Sequence, residues 1–196
     1  MNAAITYHPI TDFAALKAGQ VCGTARVLSV GGGDIRFMDR PEDVSEEIYP
    51  ENTFAEVEEF CRFRGLDLAE YVEFNEGADI WDFLGEIWQT MKQSIQDGLQ
   101  AEGILPGGLK IERKAKLLYH QAAPNEIPQV RECRMISAYA FAVSEQNAGG
   151  GQVVTAPTCG ASGVLPAVLM YMQQTREVSD RRILRAMLQA MGFAPD

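Results

Sequence analysis

The stretch GGGQVVTAPTCGASGVLPAVLMYM, residues 149–172, decides how this chain is organised. Three glycines and a β-branched run lead into small and hydroxyl-bearing residues, and the pattern then turns apolar at helical spacing. Glycines let backbone amides approach a ligand, and the first turn of a helix has unpaired N–H donors. The stretch therefore predicts a loop-to-helix anion site with Thr158, Cys159 and Ser162 at its rim. Because neither a Walker lysine nor a Rossmann glycine triplet is present, a corner that needs small residues only for close packing stays an alternative.

Five blocks of the sequence resemble those of the iron–sulfur-dependent L-serine dehydratases. In order they are LSVGGGDI at 28–35, NEGADIWDFLGEIWQTMKQSI at 75–95, GILPGGLKIERKA at 103–115, AYAFAVSEQNAGGGQVV at 138–154 and TAPTCGASGVLPAVL at 155–169. The similarity runs in one order over most of the chain from about residue 25. Several blocks in one order are more specific than any single motif, so the resemblance predicts the catalytic alpha region of such an enzyme.

The resemblance also implies a chemistry. In the family, one iron of a [4Fe–4S] cluster acts as a Lewis acid on the serine hydroxyl while a base removes the α proton. The products are pyruvate and ammonia, in amino-acid degradation that feeds gluconeogenesis. For this sequence the resemblance implies substrate contacts at Thr158, Cys159, Gly160 and Ser162 and leaves the base unidentified. The family's three cluster cysteines lie beyond the position that matches residue 196, which predicts the N-terminal part of the catalytic region, truncated before those ligands.

Composition excludes several other classes of protein. The chain has 196 residues, of which 46% are apolar, so it can bury one real core. Its formal charge of −10 argues against a nucleic-acid partner. No apolar run approaches the ~20 residues that span a bilayer, and the N-terminus lacks the pattern of a secretory signal. These features predict a cytoplasmic protein without a membrane partner.

The four cysteines form no local ligand motif. Cys22, Cys61, Cys133 and Cys159 are widely spaced and include no C-x-x-C pair, so spacing identifies neither a zinc site nor a self-contained cluster. Cys61 and Cys133 lie in helical patterns and are expected to be buried, inert thiols. No lysine stands in a context typical of a pyridoxal phosphate Schiff base, so no pyridoxal phosphate is expected.

The periodicity predicts a mainly α fold with a short β element near the N-terminus. Residues 1–50 are predicted to be an irregular segment with that β element, which the resemblance makes the remnant of a preceding domain. Residues 51–196 are predicted to be the helical serine dehydratase alpha-type domain, incomplete at its C-terminus. Within it, Thr53 and Asp67 are predicted to cap two short helices, and Asp79 to begin the longest one.

The segment LKIERKAKLLYHQ, residues 109–121, carries the densest positive charge in an acidic chain and is predicted to be helical. Lys110 or Arg113 is a candidate partner for a substrate carboxylate, because an arginine can donate two parallel hydrogen bonds to such a group. A solvated helix face is the alternative. His8 and His120 lie in no nucleophile motif and are interpreted as incidental.

Three hypotheses about function follow. The first is an L-serine ammonia-lyase that binds L-serine or a similar small amino acid and is inactive or dependent on a complementary cluster-bearing chain. The second is a non-catalytic helical scaffold or partner-binding protein derived from that fold. The third is an unrelated enzyme that binds phosphate or a carboxylate through the glycine loop. Apolar faces expected at 129–147 and 163–191 also predict self-association, for example as a homo-oligomer.

Overall fold

The computed structural model of this protein describes residues 10–31, 34–38, 48–121, 124–154 and 161–191. These residues form two compact units, a sheet within residues 10–38 and a helical unit within residues 48–191. The fold is mainly α with a small N-terminal sheet, as the sequence predicted. The helices are α1 Phe54–Arg64, α2 Leu68–Glu76, α3 Ile80–Gln100, α4 Ala115–His120, α5 Pro128–Gly149, α6 Ala161–Arg176 and α7 Asp180–Met191.

The sheet is antiparallel, with strands in the order β1 Ile10–Lys17, β2 Gln20–Gly31 and β3 Asp34–Phe37. Ala18 and Gly19 join β1 to β2 with φ of 49° and 79°. Positive φ at both central residues is the geometry of a tight turn that matches the twist of paired strands. A short β element was predicted within residues 1–50, but the prediction that the rest of this segment is irregular is wrong at Ile10–Lys17, which forms β1. Whether the sheet is the remnant of a preceding domain stays a prediction.

Capping residues fix the first two helices of the helical unit. The Thr53 side chain accepts the backbone N–H of Glu56, whose carboxylate accepts the N–H of Thr53 in return. Asp67 and Glu70 form the same reciprocal pair at the start of α2. Such capping boxes satisfy N–H groups that the helix leaves unpaired, and both were predicted from the sequence.

The core forms around one face of α3. The buried apolar residues of this face are Ile80, Leu84, Trp88, Met91 and Ile95, as the spacing predicted. Helix α3 packs against α5, α6 and α7, and α2 packs against α7. The indole of Trp88 donates to Asp180 over 3.1 Å, which ties α3 to the first residue of α7.

Small residues bring α5 close to its neighbours. A Cβ added at Gly98 on α3 would lie 2.3 Å from the carbonyl oxygen of Ala142 on α5. A Cβ added at Gly163 on α6 would lie 2.7 Å from the carbonyl oxygen of Ala140. Helix backbones therefore meet at both crossings, which only glycine permits.

Two predictions about the helical unit are wrong. The basic segment is helical only from Ala115, because its first residues pair with the chain at 103–105 instead. Cys133 is exposed, since α5 buries the face of Ala138 and Ala142 and not that of Val130. On α6, three residues of the apolar face expected within 163–191 are 40–57% exposed: Val164, Leu165 and Val168.

Within the described residues, no helix combines the length and the apolarity needed to span a membrane.

Candidate substrate site

Helix α4 lies along α5, and a charged side chain of α5 caps each of its ends. At the carboxyl end of α4, Arg134 donates to the carbonyl oxygens of Leu118 at 2.6 Å and Tyr119 at 3.0 Å. At the amino end, Glu145 accepts the backbone N–H of Lys114 at 2.6 Å and that of Ala115 at 3.3 Å. A cation at the carboxyl end and an anion at the amino end both complement the helix dipole. The six-residue helix is thus held in place by α5 rather than by its own length.

Glu145 caps α4 with only one of its two carboxylate oxygens. Its side chain is buried, with 4% of the residue exposed. While Oε1 accepts the two N–H groups, Oε2 is also buried and has no hydrogen-bond partner among the described residues. Leaving a buried polar atom unpaired costs about 1–3 kcal/mol, and more when it carries charge. A second group is therefore needed at Oε2.

Arg113 lies beside the last turn of α5. A Cβ added at Gly149 would be 2.5 Å from its Nη2 and 3.6 Å from its Cζ, so the guanidinium lies against Gly149. The backbone N–H of Arg113 donates to the Gly103 carbonyl over 3.0 Å, and Ile104 forms a bridge with Glu112. This pairing fixes the chain where a helix was expected. The Nη1 atom is buried and has no partner in the part of the chain that the structure describes.

We call Arg113, Glu145 and Gly149 the α5 end site. Glu145 and Gly149 are one helical turn apart, and Arg113 directly precedes the residue whose N–H Glu145 accepts. The site thus contains a guanidinium nitrogen and a carboxylate oxygen that are both buried and both without a hydrogen-bond partner among the described residues. Gly150, with φ of 77°, then ends α5 and begins the glycine loop.

The other residues predicted for substrate binding lie in three different settings. Ser162 is buried in the first turn of α6, next to Gly163, which contacts α5 at Ala140. Lys110 is exposed and has an unusual φ of 50°, so the structure does not bring it into the α5 end site. Thr158, Cys159 and Gly160 lie outside the described residues, and their role stays a prediction.

A polar depression of about 280 Å³ lies along α3. Its lining combines residues of α3 with one residue that follows the glycines: Gln89, Thr90, Gln93, Ser94, Asp97 and Gln152. The Ser94 hydroxyl is buried there without a hydrogen-bond partner among the described residues. Its lining is mostly amide and hydroxyl groups, so it offers less to a charged ligand than the α5 end site does.

The described residues do not fit an iron–sulfur cluster. No group of three His, Cys, Asp or Glu side chains within them is placed to hold a metal ion. Cys22 is exposed in β2, Cys133 is exposed on α5 and Cys61 is buried in α1. Burial also raises the pKa of the Cys61 thiol, which disfavours the thiolate form that a metal requires. No step of the chemistry is therefore assigned through a cluster on these residues.

Sequence reasoning missed Glu145. It lies on the face of α5 that carries Ala138 and Ala142, seven and three residues before it. A carboxylate at helical spacing from small buried residues was the available signal, because a charged group on a buried face needs a partner.

The fold and this site define a class of mainly helical domain in which a central helix crosses its neighbours at glycines and presents buried charged groups. The family model for the serine dehydratase alpha chain matches residues 39–194. The chain therefore belongs to the serine dehydratase alpha chain family, as the resemblance of its motifs predicted.

Individual relatives agree with the family match. The chain is 37% identical to the L-serine dehydratase of Streptomyces coelicolor, over 86% of this chain and 40% of that protein. It is 33% identical to L-serine dehydratase 2 of Escherichia coli, over 91% of this chain and 42% of that protein. For the L-serine dehydratase of Haemophilus influenzae the identity is 35%, over 81% and 38%. The chain thus spans about two fifths of the length of these relatives.

Proposed function

We propose that this chain provides the amino-acid-binding half of an L-serine ammonia-lyase, whose reaction converts L-serine to pyruvate and ammonia. The chain belongs to the serine dehydratase alpha family, and one observation supports the proposal most strongly. A nitrogen of the Arg113 guanidinium is buried beside the glycine loop and has no hydrogen-bond partner among the described residues. A guanidinium is the side chain best suited to a carboxylate, which every amino-acid substrate carries.

In this proposal the residues of the chain bind and orient the substrate. Arg113 holds the carboxylate, and the loop that follows Gly150 would place Thr158, Cys159, Gly160 and Ser162 around the rest of the molecule. Holding a substrate in one orientation contributes to rate by removing the entropy cost of alignment. Lys110 is a weaker candidate, because its exposed position gives it no share in the buried site.

The [4Fe–4S] cluster that the family resemblance implies would assist departure of the hydroxyl group. Since the described residues offer no ligand set for it, we propose that turnover needs a cluster-bearing part that these residues do not supply. A complementary cluster-bearing chain would contribute it, in the cytoplasm.

Anaerobic purification followed by iron, sulfide and pyruvate assays tests this function. We expect pyruvate from L-serine when the chain is mixed with the C-terminal part of a relative's catalytic region and reconstituted with iron and sulfide. In the same mixture, the variant Arg113→Gln should raise KM more than it lowers kcat, because it weakens binding of the substrate carboxylate. A reconstituted mixture that binds iron yet releases no pyruvate would refute the proposal and favour the non-catalytic scaffold.

A further inference from the structure

The α5 end site contains two buried polar atoms, which belong to groups of opposite charge. Within the described residues, Nη1 of Arg113 and Oε2 of Glu145 both lack a hydrogen-bond partner, so they are not bonded to one another. In native proteins each such atom requires an explanation, and an unseen ligand or water is one of the few available. Glu145 lies one helical turn before Gly149, and the Arg113 guanidinium lies against Gly149, which indicates a shared occupant.

The chemistry of the two groups restricts that occupant. A phosphate or a simple carboxylate would satisfy Arg113 but would place a negative charge beside Glu145. A metal cation or an amine would satisfy Glu145 and be repelled by Arg113. A water molecule can bond to either group but neutralises neither charge. A zwitterion whose cationic and anionic groups are adjacent satisfies both.

We infer that Arg113 and Glu145 together bind the zwitterionic head of an α-amino acid, with Glu145 as the receptor for its ammonium group. The inference rests on the proposed function for the choice of amino acid and adds a residue and a specificity to it. Glu145 is suited to this role because α4 holds its other oxygen: the bonds from Lys114 and Ala115 fix the carboxylate before the ligand arrives. Fixed receptors of this kind lose little entropy on binding.

Gly149 contributes to the same site by its lack of a side chain. The Arg113 guanidinium occupies the space where a Cβ would lie, at 2.5 Å from Nη2. Replacing Gly149 by Ala therefore moves the guanidinium away from α5 and changes its position relative to Glu145. The substitution should weaken binding of the ligand's carboxylate by Arg113 and leave binding of its ammonium group by Glu145 intact.

Calorimetric titration of the purified chain with three ligands tests the inference. L-Serine carries both charges, L-serinamide lacks the carboxylate, and L-glycerate has a hydroxyl in place of the ammonium. We expect L-serine to bind at least about tenfold more tightly than either analogue, since each analogue loses one charge-assisted hydrogen bond. Failure of the wild-type chain to bind L-serine would overturn the inference.

Two conservative variants separate the roles. Glu145→Gln keeps an oxygen for the two N–H groups of α4 and replaces Oε2 by an NH₂ group, so its fold should persist. It should lose the preference for L-serine over L-glycerate and keep the preference over L-serinamide. Arg113→Gln should do the reverse. The matched controls are Glu132→Gln and Arg131→Gln, two exposed positions on the same helix, which should retain both preferences.

The outcomes distinguish this inference from the dehydratase proposal. Both preferences intact in Glu145→Gln, with serine still converted to pyruvate in the reconstituted mixture, would refute the zwitterion receptor and leave the lyase function standing. Charge preferences that follow the two variants, without pyruvate from any mixture, would support the receptor and refute the lyase.

Discussion

The two ends of α4 are built from the same kinds of residue and differ in how completely those residues are paired. At the carboxyl end, Arg134 donates to both oxygens of Glu126, at 2.7 and 2.8 Å, as well as to two carbonyls. At the amino end, Glu145 accepts two N–H groups, but its second oxygen and one nitrogen of Arg113 have no hydrogen-bond partner in the described parts of the chain. A fully paired charged group stabilises a fold, whereas a buried one with unused capacity is suited to a ligand. We therefore assign a structural role to the carboxyl end of α4 and a ligand-binding role to its amino end.

The largest expected effect comes from moving the helix that carries both ends. Gly98→Ala places a methyl group 2.3 Å from the backbone of Ala142, so α5 must shift away from α3. We expect a loss of about 3 kcal/mol in the free energy of unfolding, as for other overpacked cores. Chemical denaturation measures it.

Gly85→Ala is the control for this substitution. It lies on the same helix, and nothing lies within 4 Å of its added Cβ. There the loss of backbone freedom in the unfolded chain should stabilise the protein by up to about 1 kcal/mol. Equal effects at the two glycines would contradict the close crossing of α3 and α5.

Removing Arg134 tests the paired end. Arg134→Ala leaves the Glu126 carboxylate without its guanidinium and the last carbonyls of α4 without a donor. We expect a clear drop in the thermal midpoint, several times that of Arg131→Ala at an exposed position of α5. L-Serine affinity, measured on the folded fraction, should change little. A variant that kept its midpoint and lost serine binding would reverse the assignment of the two ends.

At the amino end of α4, two substitutions of Glu145 should lower the stability of the protein by different amounts. Glu145→Ala removes the acceptor for two N–H groups at the start of α4 and should cost about 1–2 kcal/mol. Glu145→Gln retains an acceptor oxygen and should cost much less, while still weakening serine binding. Parallel denaturation curves of the two variants measure the difference. Equal destabilisation by Ala and Gln would show that Oε2 itself, and not Oε1, supports the fold.

The parts of this fold that were predictable from sequence have local causes. Thr53 with Glu56, and Asp67 with Glu70, specify helix starts by side chains that reach their own backbone. The apolar face of α3 repeats every three or four residues, and the serine dehydratase motifs identified the family. The caps and the apolar face each lie within one short stretch, and the family motifs are found in order along the chain, so none of these signals requires knowledge of what packs against it.

The α5 end site depended on tertiary contacts that the sequence does not display. Arg113 was identified as a candidate, but on a helix, because the pairing of residues 103–113 was not anticipated. Glu145 was missed, since its importance comes from the N–H groups of Lys114 and Ala115, about thirty residues earlier in the chain. The small residues on the buried face of α5 are buried by contact with α3 and α6 rather than by their own hydrophobicity, so their burial also depends on contacts between distant parts of the chain.

The smallest expected effect is the pH dependence of the stability that the Arg134–Glu126 pair contributes at the carboxyl end of α4. The hydrogen bonds from Arg134 hold the pKa of Glu126 below its ordinary value, more than desolvation raises it. A carboxylate with a lowered folded-state pKa stabilises the protein above its unfolded pKa of about 4.3, and that stabilisation is lost as the pH falls through the folded value. Glu126→Gln should therefore be less stable than the wild type at pH 7, and the difference should narrow below about pH 4. Denaturant midpoints from pH 7 to pH 3 measure this, and a difference that stayed constant over the range would show that the Arg134 pair contributes no charge-dependent stability.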